Sequence, residues 1–147
     1  LTPMDRACMK VHLPVCEWLF KMGATEDICK KNINGQTPMF MACHYGHLSM
    51  CEWLFEAGAT EDVRRACVGF SPMHIACMKG HLSVCEWLYK VGAAADVTKL
   101  NDNGATSMIL ACQEGHLSVC KWLYKMGATE DIGKATNDGF TPMYLAC

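Results

Sequence analysis

The sequence lacks a long hydrophobic run. Charged residues interrupt every apolar stretch before it reaches the roughly eighteen residues of a membrane span, which excludes a spanning helix and makes no case for a membrane partner. It also lacks an excess of charge of one sign. Thirteen basic residues face 15 acidic ones, for a net charge of −2. Nucleic acids and polyphosphates require a concentrated basic face, so they are excluded as partners. No Ser-His-Asp set, paired-carboxylate motif or glycine-rich phosphate loop occurs, so the sequence offers no enzyme and implies no cofactor. The opening Leu1-Thr2-Pro3-Met4-Asp5-Arg6 is neither a signal peptide nor an initiator methionine, and reads as a cut inside a longer protein. Cysteine is the opposite case: there are 11 in 147 residues, and 51% of the chain is apolar, ample for a single core.

What is present is repetition. The tripeptide Thr2-Pro3-Met4 returns as Thr37-Pro38-Met39, Ser71-Pro72-Met73, Thr106-Ser107-Met108 and Thr141-Pro142-Met143, at spacings of 35, 34, 35 and 35 residues. An Ala-Cys pair follows each time, at Ala7-Cys8, Ala42-Cys43, Ala76-Cys77, Ala111-Cys112 and Ala146-Cys147. Four units then carry a variant of the string that runs from Gly80 to Ala93, GHLSVCEWLYKVGA. The chain divides into units of about 1–35, 36–69, 70–104 and 105–139, with a partial unit at 140–147.

Each unit has the makings of two short helices and an extended loop. Thr37 is a good N-cap, and Pro38 suits the first helical position, where a missing N–H costs nothing. Met39, Ala42 and Cys43 then fall at i, i+3 and i+4 and form one apolar stripe. Gly46 can take the left-handed conformation that ends this helix. The spacing predicts a second helix from about Ser49 to Glu56, closed by Gly58. Ser49, Glu52 and Glu56 form its narrow polar stripe, while Met50, Cys51, Trp53, Leu54 and Phe55 fill a wide apolar arc. An arc that wide must be covered on several sides, and stacked copies of the unit supply the cover.

The pattern resembles the ankyrin repeat, whose core motif is best matched by Ser71-Pro72-Met73-His74-Ile75-Ala76, then Gly80-His81-Leu82 and Gly92-Ala93. The resemblance spans the whole chain. It implies an all-α fold, an ankyrin-repeat solenoid of stacked helix-turn-helix units joined by extended hairpin-like loops. The family's motif histidine survives only as His74, with Asp5, Phe40, Ile109 and Tyr144 at the equivalent positions, so its side-chain bond is missing from most units. The Thr60–Phe70 loop is one residue short and should turn irregularly. In the first unit Val11 replaces the turn glycine, which strains a backbone that needs positive φ; Pro14 replaces serine and fits a first helical turn.

One constellation suggests chemistry. Cys-x3-His-x3-Cys occurs as Cys8-His12-Cys16, Cys43-His47-Cys51, Cys77-His81-Cys85 and Cys112-His116-Cys120. Three soft ligands so close would suit zinc, and the pairs could also sense redox state; this metal-binding or redox-sensing protein is the alternative reading. No fourth ligand appears at matching spacing, and the cysteines stand where the family resemblance implies small apolar residues, so they are read as core. An odd total, with Cys29 and Cys67 unpaired in loops and open to reagents, counts against a disulfide framework and favours a reducing compartment, cytoplasm or nucleus. Trp18, Trp53, Trp87 and Trp122 form a ladder read as packing between units. The loop charges, Glu61-Asp62 before Arg64-Arg65, read as a solvated surface.

The resemblance implies a protein-binding or scaffold module, monomeric as a domain, that uses the concave face of the stack. Residues that stay constant between units serve the scaffold, so partner-reading residues are sought among those that vary. At the loop tips these are Asn34 and Gln36, Val68 and Phe70, Asn103 with Ala105, and Asp138 and Phe140. At the ends of the first helices they are Met9-Lys10, His44-Tyr45, Met78-Lys79 and Gln113-Glu114. Tyr45 and Phe70 are the strongest candidates, because aromatic anchors dominate binding hot spots.

Overall fold

The computed structural model describes residues 2–147. The described residues hold nine α-helices: α1 (Pro3–Met9), α2 (Leu13–Lys21), α3 (Pro38–Tyr45), α4 (Leu48–Glu56), α5 (Pro72–Lys79), α6 (Leu82–Leu88), α7 (Ser107–Gln113), α8 (Leu117–Lys125) and α9 (Pro142–Ala146). Short 3-10 turns at Glu26–Cys29, Glu61–Val63, Ala94–Val97 and Glu130–Gly133 lead each helix pair into the next loop. The fold is the expected all-α repeat stack.

Local chemistry sets the helix boundaries. Thr2, Thr37, Ser71, Thr106 and Thr141 are extended, and each side-chain oxygen accepts from the backbone N–H three residues on. Two of these caps are reciprocated: Asp5 Oδ2 accepts from Thr2 N–H at 2.8 Å and His74 Nδ1 from Ser71 N–H at 3.1 Å. Gly46 and Gly80 end α3 and α5 at φ 74° and 76°, and Val11 is forced to φ 58° at the same place in the first unit.

The first helices pack in one row, α1 on α3, α3 on α5, α5 on α7 and α7 on α9, with α4, α6 and α8 stacked behind them. Equivalent residues form ladders through the core. Met4, Met39, Met73 and Met108 are buried, as are Leu54, Leu88 and Leu123. In the last helix, which packs on a neighbour on one side, Met143 is 73% exposed.

The loops are narrow hairpins of two kinds. Asn32, Asn101 and Thr136 each donate from N–H to the carbonyl four residues on, and a glycine within the turn donates back to the same residue. The short loop is irregular, as expected. Cys67 and Phe70 exchange both backbone bonds, at 2.9 and 3.1 Å, across a two-residue turn with Val68 at φ 55° and Gly69 at φ 82°. Positive φ at both central residues is the type I′ geometry that matches strand twist, and valine is a poor occupant of it.

Three readings require correction. The tryptophans are not a buried ladder: Trp18 is 59% exposed and Trp53, Trp87 and Trp122 are half-buried. Each inner indole meets an aromatic of the preceding unit edge-on, as Phe20–Trp53, Phe55–Trp87 and Tyr89–Trp122, with ring centres 5.8–6.0 Å apart. The loop acids are not all solvated either. Asp62, Asp96 and Asp131 are buried, because the 3-10 turns tuck them against the first helices. Arg64 crosses to the next loop and donates twice to Asp96 Oδ1, at 2.9 and 3.2 Å. Arg65 sits 3.0 Å from Asp62 in ion-pair contact without hydrogen-bond alignment, and Lys134 pairs with Asp131 at 2.9 Å. Burial raises the Asp62 carboxyl above the ordinary 3.8, against the opposing pull of Arg65. Finally, Cys67 is not an open loop thiol. It is 1% exposed, because the hairpin turns its side chain into the core.

Candidate binding groove

The hairpin tips and the first helices enclose a groove of about 630 Å³ over the third to fifth units. Phe70, Ala105 and Phe140, each just before a helix cap, form one wall, and Met78, Ile109, Leu110, Gln113 and Leu145 form the floor. Asn101, Asn103, Thr136 and Asp138 supply the polar rim. Ala105, Ile109 and Leu110 are themselves buried and make a small apolar cluster with Phe70, Met78 and Leu145 against it. The groove is thus apolar at its base, with Asp138 the charged residue of its lining.

The hairpins that build the rim lean on one another. Asp102 N–H donates to the Gly69 carbonyl at 3.3 Å, and Asn137 N–H to the Asn103 carbonyl at 3.4 Å. Gly69 sits at φ 82°, which favours glycine, and a side chain there would also have to displace the exposed Asp102 carboxylate. Asn101 Oδ1 accepts from the N–H groups of Asn103 and Ala105, both at 2.9 Å, which holds the rim of the fourth unit in shape.

Of the residues singled out in the sequence, Phe70, Met78, Asn103, Gln113, Asp138 and Phe140 converge on this groove, together with Ala105. The others lie elsewhere. Asn34 and Gln36 belong to the Asn32 hairpin, where Asn32 Oδ1 accepts from both their N–H groups. Val68 is the exposed turn residue. Lys79 and Glu114 are exposed at helix ends, outside the groove lining, and Met9 and Lys10 border a separate cavity of about 420 Å³ beside α1. His44 and Tyr45 form an aromatic cluster with His47, with Tyr45 4.8 Å from His44 and 5.8 Å from His47. Burial, then the Lys79 charge, lowers the His44 pKa. The groove also uses Ile109, Leu110, Leu145, Asn101 and Thr136, which were not singled out. A signal was present: one repeat position varies through Arg6, Met41, Ile75 and the leucines Leu110 and Leu145, and the position before it through Asp5, Phe40, His74, Ile109 and Tyr144.

The Cys-x3-His-x3-Cys sets are split by the fold. Within each unit the two sulfurs meet, in the core at 3.7 Å for Cys8–Cys16, 3.8 Å for Cys43–Cys51 and 3.6 Å for Cys77–Cys85, and, contrary to the core reading, half-buried at 3.5 Å for Cys112–Cys120. The histidine turns away. His47 Nε2 donates to the Met9 carbonyl at 3.3 Å and His81 Nε2 to the His44 carbonyl at 3.0 Å, each in the preceding unit. The His81 and His116 rings press on the turn glycines of the preceding units, Gly46 and Gly80: a Cβ on Gly80 would lie 2.5 Å from His116 Nδ1. Among the described residues no group of three or more His, Cys, Asp or Glu side chains is placed to hold a metal. No helix among them is long and apolar enough to cross a membrane.

A family model for ankyrin repeats (3 copies) matches residues 4–99 and again 91–147. The chain belongs to the ankyrin repeat family. A search of curated proteins finds no match to it. Ankyrin repeats are, as a class, protein–protein interaction modules. In this ankyrin stack the inter-unit histidine bonds, edge-on aromatics and Arg64–Asp96 pair join the first three units, and the Tyr89–Trp122 contact with the hairpin-to-hairpin bonds joins the units that build the groove.

Proposed function

We propose that this chain is a non-catalytic, monomeric module that binds a segment of another protein in the Phe70–Phe140 groove. The observation that carries the reading is convergence. Positions that vary from unit to unit, and so are free of the scaffold's demands, supply Phe70, Met78, Asn103, Gln113, Asp138 and Phe140 to one apolar-floored groove. Partly exposed aromatic and methionine side chains around a partly desolvated cleft are the features of binding hot spots, and a polar rim lets a partner backbone find hydrogen bonds. A bulky apolar side chain of the partner fills the floor between Met78 and Leu110, with its backbone against Asn101, Asn103 and Asp138. Its setting is a reducing compartment, the cytoplasm or nucleus. The metal-binding alternative draws no support from the split Cys/His sets.

Selection of a displayed random-peptide library on the intact protein tests the reading. Selected peptides should share a large apolar residue, and Phe70→Ala should weaken their binding, measured calorimetrically, by about 2 kcal/mol or more. Ser49→Ala, on the exposed side of α4, should leave binding unchanged. Peptides that tolerate Phe70→Ala and Phe140→Ala but lose affinity with Tyr45→Ala would move the site to the His44–Tyr45–His47 cluster.

A further inference from the structure

The four cysteine pairs are chemically alike but differ in access. Cys8–Cys16, Cys43–Cys51 and Cys77–Cys85 are buried at both members, whereas Cys112 and Cys120 are both half-buried. That last pair also has the closest sulfurs, at 3.5 Å. Cys112 lies in the last turn of its helix, beside Gln113, which ends it, and Glu114, which caps it, both exposed, so a reagent can approach from solvent. The other pairs are sealed by the neighbouring units.

We propose that the Cys112–Cys120 pair is an oxidative modification site, closed to a disulfide by exchange with a small-molecule disulfide of the oxidised-glutathione class. The Cys112 thiolate attacks one sulfur of the reagent, the reagent's S–S bond breaks, and one thiolate leaves and takes a proton from solvent. The mixed disulfide on Cys112 is then attacked by Cys120 after its proton passes to solvent, and the second reagent thiol leaves. Two protein thiols have lost two electrons and two protons, and the reagent has gained them as two free thiols. The place of Cys112 beside the exposed Gln113 and Glu114 assigns the first attack to it, while burial, then the contact with Cys112, raises the Cys120 thiol. Closure needs the sulfurs to move from 3.5 Å to about 2.05 Å, the shortest such approach among the four pairs. A fully buried pair has no room for the bulky mixed-disulfide intermediate. The bond would staple α7 to α8 across the turn beside the groove.

The test uses the whole chain carrying Cys29→Ser and Cys147→Ser, so that the half-buried loop thiol and the exposed terminal one take no part. The folded protein is treated with oxidised glutathione, alkylated and mapped by mass spectrometry over time. The first bridge, a loss of about 2 Da, should join Cys112 to Cys120 and form roughly tenfold faster than any other. Adding Cys120→Ser should replace the bridge by a stable glutathione adduct on Cys112, with an unchanged circular dichroism spectrum. A first bridge at Cys43–Cys51 or Cys77–Cys85, one common rate for all four pairs, or a lasting adduct on Cys112 in the presence of Cys120 would overturn the proposal.

Discussion

The α1–α2 pair and the α5–α6 pair are built from nearly the same residues yet are held differently. Both begin with a reciprocated cap, Thr2 with Asp5 and Ser71 with His74. Both bring two buried cysteine sulfurs together, at 3.7 and 3.6 Å. The differences lie in what crosses between units. In α5–α6 the turn glycine sits at φ 76°, His81 reaches back to the His44 carbonyl and Trp87 is edge-on to Phe55. In α1–α2 a valine occupies the left-handed turn at φ 58°, His12 is exposed and Trp18 is 59% exposed. Local sequence therefore suffices to form a helix pair, and neighbours decide how firmly it is held, as expected where stability sums unit and interface contributions.

The comparison breaks most visibly at the methionine of the repeated tripeptide. Met73 is fully buried and Met143 is 73% exposed at the same repeat position. Met73→Ala should cost about 2–5 kcal/mol of unfolding free energy, as large-to-small core changes do. Met143→Ala should stay within about 0.5 kcal/mol, the usual range for surface substitutions. Denaturant melts of the two variants measure this directly. Equal losses would mean that the outer helix is as tightly packed as the inner ones.

The tryptophans come next. Trp87 is half-buried and gains an aromatic contact with ring centres 5.8 Å apart, so Trp87→Ala should cost about 2 kcal/mol, less than a fully buried indole would. Trp18→Ala, with no aromatic partner from a preceding unit among the described residues, should cost about 0.5 kcal/mol or less. Phe55→Leu should remove most of the difference between the two sites, since it deletes the edge-on partner while keeping the apolar bulk.

The turn residues give a pair of opposite sign. Gly80→Ala must place a methyl group at φ 76° and 2.5 Å from the His116 ring, and should destabilise by at least about 1 kcal/mol. Val11→Gly relieves a β-branched residue at φ 58° and should stabilise by about 0.5–1 kcal/mol despite the greater freedom of the unfolded chain. Thermal unfolding reads both. A loss at Val11→Gly would show that its methyl groups, though 40% exposed, contribute more than the strain removes.

Much of this was legible in the sequence because capping and left-handed turns depend on residues close in the chain. The Thr-Pro caps, the turn glycines, the strain at Val11 and the irregular Cys67–Phe70 turn all follow from spacing and local torsional preference. What was not legible depends on direction in three dimensions. Asp62, Asp96 and Asp131 look solvated in a charged loop, and the 3-10 turns that bury them carry no distinctive apolar pattern. The tryptophans look like core because they lie in a wide apolar arc, yet their rings sit at the outer edge of the second helices, covered on one side. The groove was half legible for a similar reason. Variation between units marks freedom from the scaffold, which Phe70 and Tyr45 share, but only stacking reveals that Phe70 joins Phe140 in the lining of one cleft while Tyr45 rests on His44 and His47.

The smallest expected effect separates the two caps by pH. His74 in α5 is buried, and its pKa is lowered from 6.5 mainly by that burial; the Lys99 carbonyl, which accepts from Nε2 at 2.7 Å, and Asp96 oppose the shift. A base whose folded pKa lies below its unfolded one binds fewer protons when folded. Below pH 6.5 the unfolded chain takes up a proton that the folded chain refuses, so stability falls with pH until the folded value is reached and is then level. Between pH 7 and pH 6 a single such histidine can withdraw at most about 0.7 kcal/mol. His44 and His81 are lowered in the same direction, first by burial, and their partial exposure makes their shares smaller. His74→Phe, which copies the Phe40 found in α3, should therefore flatten the slope of stability against pH in this window while leaving the Thr2–Asp5 cap untouched. Urea melts at pH 7 and pH 6 make the measurement. An unchanged slope in His74→Phe would assign the pH dependence to His44 and His81, and not to the cap.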